Sequence, residues 1–173
     1  MKTSPIKPTR GANSLGGRKR SRTTHTERVA RGMLKRILVP IDFSPDSKKA
    51  LRKALEIAKD LQASLVVLHV MDSMYRPGRL ESPPLRQLKR EAHEQSTRAL
   101  AELVKRKIGN QANVKRLVRT GVPYAEIVAL GQKEKVDLIV IGSRGHTGLK
   151  RFLLGSTAER VVRLSRGPVL VVR

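Results

Sequence analysis

Five short aliphatic runs divide the chain, and between them apolar residues return every third or fourth position. The runs are Arg36–Ile41, residues 64–70, residues 113–119, residues 136–141 and Val169–Val172. They are short and rich in β-branched residues. Most are apolar almost without interruption, which predicts strands covered on both faces, as in a parallel sheet. Residues 113–119 differ, because Val114, Arg116 and Val118 alternate with Lys115 and Leu117. That poorer pattern predicts an edge strand.

The stretches between the runs read as helices. Ser44 is a good N-cap, Pro45 suits the first helical position and Asp46 complements the helix dipole. Ala50, Leu51, Ala54, Leu55, Ala58 and Leu61 then form one apolar stripe, ending near Leu61. Residues 85–108 form the longest predicted helix, with Leu85, Leu88, Ala92, Ala99, Leu100 and Leu103 expected to face inward and Gly109-Asn110 to end it. Residues 124–134 form a shorter one, with Tyr124, Ile127 and Val128 buried, and Ser156–Leu164 the last. The loop between residues 71 and 84 contains three prolines and a glycine. The order β-α-β-α-β-α-β-loop-α-β implies an open parallel sheet with right-handed crossovers and helices on both faces. Ligands of such sheets bind outside the carboxyl ends of the strands, where strand order reverses. If the first and fourth strands are neighbours, the loops after Pro40 and after Ile141 border one crevice.

Those loops carry the unusual chemistry. The fourth strand runs into Gly142, Gly145 and Gly148, with Arg144, His146, Lys150 and Arg151 among them, and Gly155-Ser156 opens the next helix. Glycine lets backbone approach a ligand closely, and the amides of a helix start attract anions. A strand, a glycine loop and a helix N-terminus together predict a phosphate cradle, with Arg144, Lys150 and Arg151 either neutralising phosphate or forming ordinary surface charge. Asp42 is either a turn aspartate or, with Ser44 taking the cap, a partner for a ribose hydroxyl or purine amino group. His146 has no visible orienting partner and reads as a solvated loop residue, and His69 as a packed, hydrogen-bonded core residue. No GxxxxGK[ST] loop is present. No residue is singled out as catalytic or as a metal ligand.

Composition narrows the classes. There are 173 residues and no cysteine, which excludes disulfides and thiolate chemistry. No apolar run approaches the roughly 18 residues of a membrane span, and the basic N-terminus has no apolar core of a secretory signal. The expectation is a cytoplasmic protein with no membrane partner. The net charge is +23. Residues 1–32 hold nine Lys/Arg against one Glu, a net of +8, and residues 33–173 hold 28 against 13, a net of +15. The division expected is a basic, disordered tail over residues 1–32 and one folded domain over residues 33–173, with Met33 an alternative start. Such charge favours anionic partners, and non-specific nucleic-acid binding through residues 1–32 is the alternative function.

The spacing of the glycine loop is sharper than its composition: Gly142, two residues, Gly145, nine residues, then Gly155-Ser156. With ILVPIDFSPDSKKAL, LVVLHV and the segment from Gly121 to Val172, it resembles the ATP-binding branch of the universal stress protein family over residues 34–173. The resemblance implies an adenine-nucleotide alpha hydrolase-like α/β fold with five parallel strands in the order 3-2-1-4-5. It implies ATP as cofactor, with or without Mg2+, and a homodimer paired through Val169–Val172. It places Pro40 and Asp42 at the adenine and ribose end, Val70 against the adenine, Ile141 and Gly142 beside ribose and phosphates, and Gly145, Gly155, Ser156 and Thr157 in the phosphate cradle. Ala158 stands where some members have a hydroxyl. Related enzymes that transfer adenylate carry HxGH, and His146-Thr147-Gly148 lacks its second histidine. The function implied is a nucleotide-responsive signalling or stress-resistance module rather than an enzyme.

Overall fold

A computed structural model describes residues 34–72, 82–108, 113–145 and 154–173. The expectations for residues 1–32, for most of the 71–84 loop and for His146, Gly148, Lys150 and Arg151 lie outside these residues. The described strands are β1 (Arg36–Ile41), β2 (Ser64–Asp72), β3 (Val114–Gly121), β4 (Leu138–Gly142) and β5 (Val169–Val172). The described helices are α1 (Pro45–Leu61), α2 (Pro83–Ile108), α3 (Pro123–Lys133) and α4 (Ser156–Leu164).

The strands form one sheet in the order β3-β2-β1-β4-β5, with every pair parallel. Period-two alternation splits each strand between two cores. Ile37, Val39 and Ile41 of β1 join Leu65, Val67 and Val140 beneath Leu51, Ala54 and Leu100. Leu38, Val66, Leu68, Ile139 and Ile141 face the other way, against Ile127, Leu130 and Val161. A strand with a helix layer on each side must be apolar at every position, which is why β1 and β4 read as unbroken runs. Pro40 is buried within β1 and pairs with Leu68.

The start of α1 follows its sequence signals. Ser44 is extended and caps the helix by accepting from the Ser47 amide at 3.2 Å. Gln62, left-handed at φ 57°, closes it. Before the cap the chain turns sharply at Phe43, whose φ of 67° is uncommon for a bulky residue. Its ring packs on the first core and lies 4.8 Å from the ring of His69. His69 in turn hydrogen bonds the Ile41 carbonyl through Nδ1 at 2.7 Å. The half-buried histidine therefore steadies the turn out of β1.

Helix α2 corrects one expectation. Its 26 residues reach about 39 Å at 1.5 Å per residue, more than the sheet can cover. Only its C-terminal part packs, through Leu100, Leu103 and Val104. Leu85 and Leu88, expected to face inward, are 42% and 62% exposed, and Ala99 is exposed as well. Helical spacing identified an apolar stripe but not the length of sheet available to bury it. Several boundaries also move. β2 continues to Asp72 and β3, starting at Val114, to Gly121, because these two strands pair up to Asp72 and Gly121. β4 spans Leu138–Gly142 rather than 136–141, and α2 and α3 start at Pro83 and Pro123.

Leu51→Ala should lower the unfolding free energy by about 2–5 kcal/mol, the usual range for a fully buried leucine. Leu88→Ala should change it by less than about 0.5 kcal/mol, as expected of an exposed position. Urea denaturation of the two variants checks both values.

Candidate functional site

Strand order reverses between β1 and β4, so the loops leaving their carboxyl ends diverge to opposite faces and leave a crevice. A cleft of about 100 Å3, open to solvent, occupies this position. One end is apolar. Pro40 comes from β1, Leu68 and Val70 from β2, Ile141 from β4, and Pro123 and Ile127 from the first turns of α3. The other end is made of backbone and polar groups: Asp42, Ser143, Arg144, Gly145 and Gly155.

The glycines do different things. A Cβ on Gly142 would stand 2.7 Å from the backbone of Asp46 and Ser47. This glycine lets the first turn of α1 press against the end of β4, where no side chain fits. A Cβ on Gly145 would stand 2.8 Å from Oδ2 of Asp42, so the glycine and the carboxylate share one wall. A Cβ on Gly155 would lie 3.2 Å from the Ser143 carbonyl. That carbonyl accepts the Gly155 amide at 2.7 Å. Gly155 is also the N-cap of α4 and, lacking a side chain, gives the helix no side-chain cap. The first-turn amides of α4 keep their capacity for an acceptor from outside, beside a cleft that Gly155 and Ala158 line. Bare glycine backbone, an uncapped helix start and an apolar far wall suit a ligand with an anionic end and a flat apolar end.

Asp46 holds the polar end together. Its carboxylate is buried and accepts from Ser143 Oγ at 3.1 Å and from Arg144 Nε at 2.9 Å. Lys49 lies 3.4 Å away on the helix. The Arg144 hydrogen bond holds the Asp46 carboxyl below its ordinary value of 3.8, against the opposing effect of burial, with Ser143 and Lys49 adding to it.

Pro40, Asp42, Val70, Ile141, Gly142, Gly145 and Gly155 are brought together around the cleft. Ser156 and Thr157 stand beside it on the first turn of α4 rather than in its lining. Asp42 does serve its turn, because Oδ1 accepts the Ser44 amide at 3.0 Å. Ser44 takes the helix cap as expected, and one oxygen of Asp42 takes the turn. Sequence reasoning did not single out Leu68, Pro123, Ile127, Ser143 or the anchoring by Asp46. Leu68 was within reach, two positions from Val70 on the same face. Pro123 was visible as a helix start after β3, but only strand order brings it to the cleft.

Fold and cleft together define the class of open, parallel α/β domains that bind ligands at a topological switch point. Residues 33–173 match the model of the Universal stress protein family, and the chain belongs to that family. Universal stress protein MJ0531 of Methanocaldococcus jannaschii is 35% identical over 146 residues, covering 84% of this chain and 86% of its own. MJ0577 of the same organism is 36% identical over 156 residues, covering 82% and 96%. Its solved structure superimposes with a TM-score of 0.70 over 81% of this chain and 96% of that one. A universal stress protein crystallised in complex with cAMP has a TM-score of 0.63 and 25% identity, covering 82% of this chain and 98% of that one.

The Asp46 carboxylate gives a pH prediction with a definite sign. A carboxyl held low in the folded state adds stability above its unfolded value, and that stability is lost as pH falls through the folded value. Asp46→Asn should therefore flatten the acid limb of the stability curve below about pH 4. Chemical denaturation from pH 7 down to pH 2.5 checks it.

Proposed function

We propose that the chain is an adenine-nucleotide-binding module with ATP as its ligand, acting in the cytoplasm as a nucleotide-responsive stress protein. One observation carries the reading: the uncapped start of α4 and the bare backbone of Gly145 and Gly155 border the same cleft as an apolar wall. Phosphates would take the backbone amides of Gly145 and the first turn of α4 with Ser156 and Thr157. The ribose would lie toward Asp42. The base would lie against Val70, Pro40, Leu68, Pro123 and Ile127, with aliphatic packing in place of aromatic stacking. Phe43 belongs to the core and the His69 ring, so it is committed elsewhere. The relative crystallised with cAMP supports an adenine nucleotide as the ligand class. Mg2+ would arrive with the polyphosphate. Among the described residues no group of three or more His, Cys, Asp or Glu could hold a metal ion.

The activity proposed is binding, with any hydrolysis slow and incidental. Isothermal titration calorimetry with ATP should give one site per chain, and Gly145→Val should abolish it by driving a branched side chain into Asp42. Unchanged affinity in Gly145→Val would overturn the assignment of the cleft.

The proposal includes a homodimer joined through β5. That strand is the sheet edge next to β4, its four residues Val169–Val172 are aliphatic and half-buried, and neighbouring α4 exposes Val162 and Leu164 at 45% each. An apolar edge strand is a template for pairing. Sedimentation velocity should show a dimer for the wild type and a monomer for Val162→Lys/Leu164→Lys. A monomeric wild type would overturn this part of the reading.

A further inference from the structure

We propose that Asp46 is a positioning residue for the phosphate end of the cleft, its carboxylate pinning the point from which both described ends of the glycine loop hang. The inference rests on the nucleotide-binding reading above and adds a residue that touches no part of the ligand in that reading.

Three consecutive residues at the exit of β4 are held by the first turn of α1. The Gly142 backbone lies directly against that of Asp46 and Ser47. Ser143 Oγ and Arg144 Nε donate to Asp46 Oδ2, and Arg144 Nη2 lies 3.5 Å from Oδ1. Ser44 Oγ, already the helix cap, donates to the Arg144 carbonyl at 3.4 Å. Ser143 is in turn the anchor of the returning chain. Its carbonyl accepts the Gly155 amide, and its own amide donates to the Val172 carbonyl, each at 2.7 Å. The last described residue before the loop, Gly145, is therefore two positions from this anchor. The N-cap of α4 is hydrogen bonded straight to it.

The pairing also decides what Arg144 does. Arg144 lines the cleft, and its guanidinium is held by a carboxylate whose side chain is only 6% exposed. A cation committed in this way acts as a strut, fixing the backbone that carries it, rather than as a free counter-ion for phosphate. Anion affinity then depends on the preorganised backbone amides of Gly145 and of the α4 start. The interaction resists loss because separation would leave the buried Asp46 carboxylate without its partner.

The direction of one effect separates the strut from simple electrostatics. If only charge mattered, removing Asp46 would free Arg144 and delete a negative charge beside an anion site, so ATP would bind more tightly. Positioning requires the opposite. Asp46→Ala should weaken ATP about tenfold, through lost preorganisation, while adenosine, which has no phosphate, keeps its affinity within about twofold. Asp46→Asn, which keeps a hydrogen-bond acceptor, should restore part of the ATP affinity. In an Asp46→Ala/Arg144→Ala double variant the two losses should fall short of additive, as for any pair acting as one unit.

The test is calorimetry with ATP and with adenosine on the full-length chain and its variants. It is paired with hydrogen exchange of the nucleotide-free proteins, where Asp46→Ala should speed exchange at the Gly155 amide without changing β1. Equal or tighter ATP binding by Asp46→Ala, or an equal loss for adenosine and ATP, would overturn the positioning role. A wild type that binds neither ligand would instead overturn the nucleotide reading. The exchange rate at Gly155 would still show whether Asp46 holds the loop ends, with an unchanged rate removing the strut as well.

Discussion

Helix α1 and the end of β4 meet at backbone distance, and the site depends on that contact. A side chain at position 142 would collide with the peptide between Asp46 and Ser47, so glycine there is a condition of the packing. The contact fixes how far the first turn of α1 reaches under the cleft, and so where the Asp46 carboxylate meets Ser143 and Arg144. β1 and β4 pair through Ile37 with Leu138 and Leu38 with Ile139 before their loops part. The opening between them is the crevice. Binding-site geometry of this kind is a by-product of core packing, because the helix that seals one face of the sheet also builds one wall of the cleft.

Much of this was legible in the chain. The strands announced themselves because burial on both faces leaves no room for polar residues, and β1 and β4 are apolar almost throughout. The N-cap at Ser44 and the helix start at Ser156 were readable because capping chemistry is local. Other features were hidden because they depend on distances across the fold. Leu85 and Leu88 have helical spacing without a sheet beneath them. Asp46 looked like an ordinary first-turn carboxylate, and its tie to Arg144 spans 98 positions. Pro123 and Ile127 enter the cleft only because β2 separates β3 from β1.

The turn between β1 and α1 shows how a local oddity is sustained. A left-handed phenylalanine costs on the order of 1–3 kcal/mol and persists only where its surroundings over-determine it. Here the Phe43 ring packs into the core, the Asp42 carboxylate accepts from the Ser44 amide, and His69 holds the carbonyl of Ile41. The conformation presents Asp42 at the polar end of the cleft and starts α1 in the same three residues. One strained position thus serves both the helix and the site.

The two margins of the sheet are chemically unlike. β3 exposes Lys115 and Arg116, whereas β5 is aliphatic at all four positions. Matching margins would let copies add end to end and grow into a fibre, because each addition would renew the surface just consumed. Exposed charge on an edge strand disfavours pairing of that kind. In the proposed association through β5, like edge would meet like edge and use up its own surface in the first encounter. In the proposed dimer, the difference between four aliphatic residues and two cations would favour a closed pair over an open chain of copies.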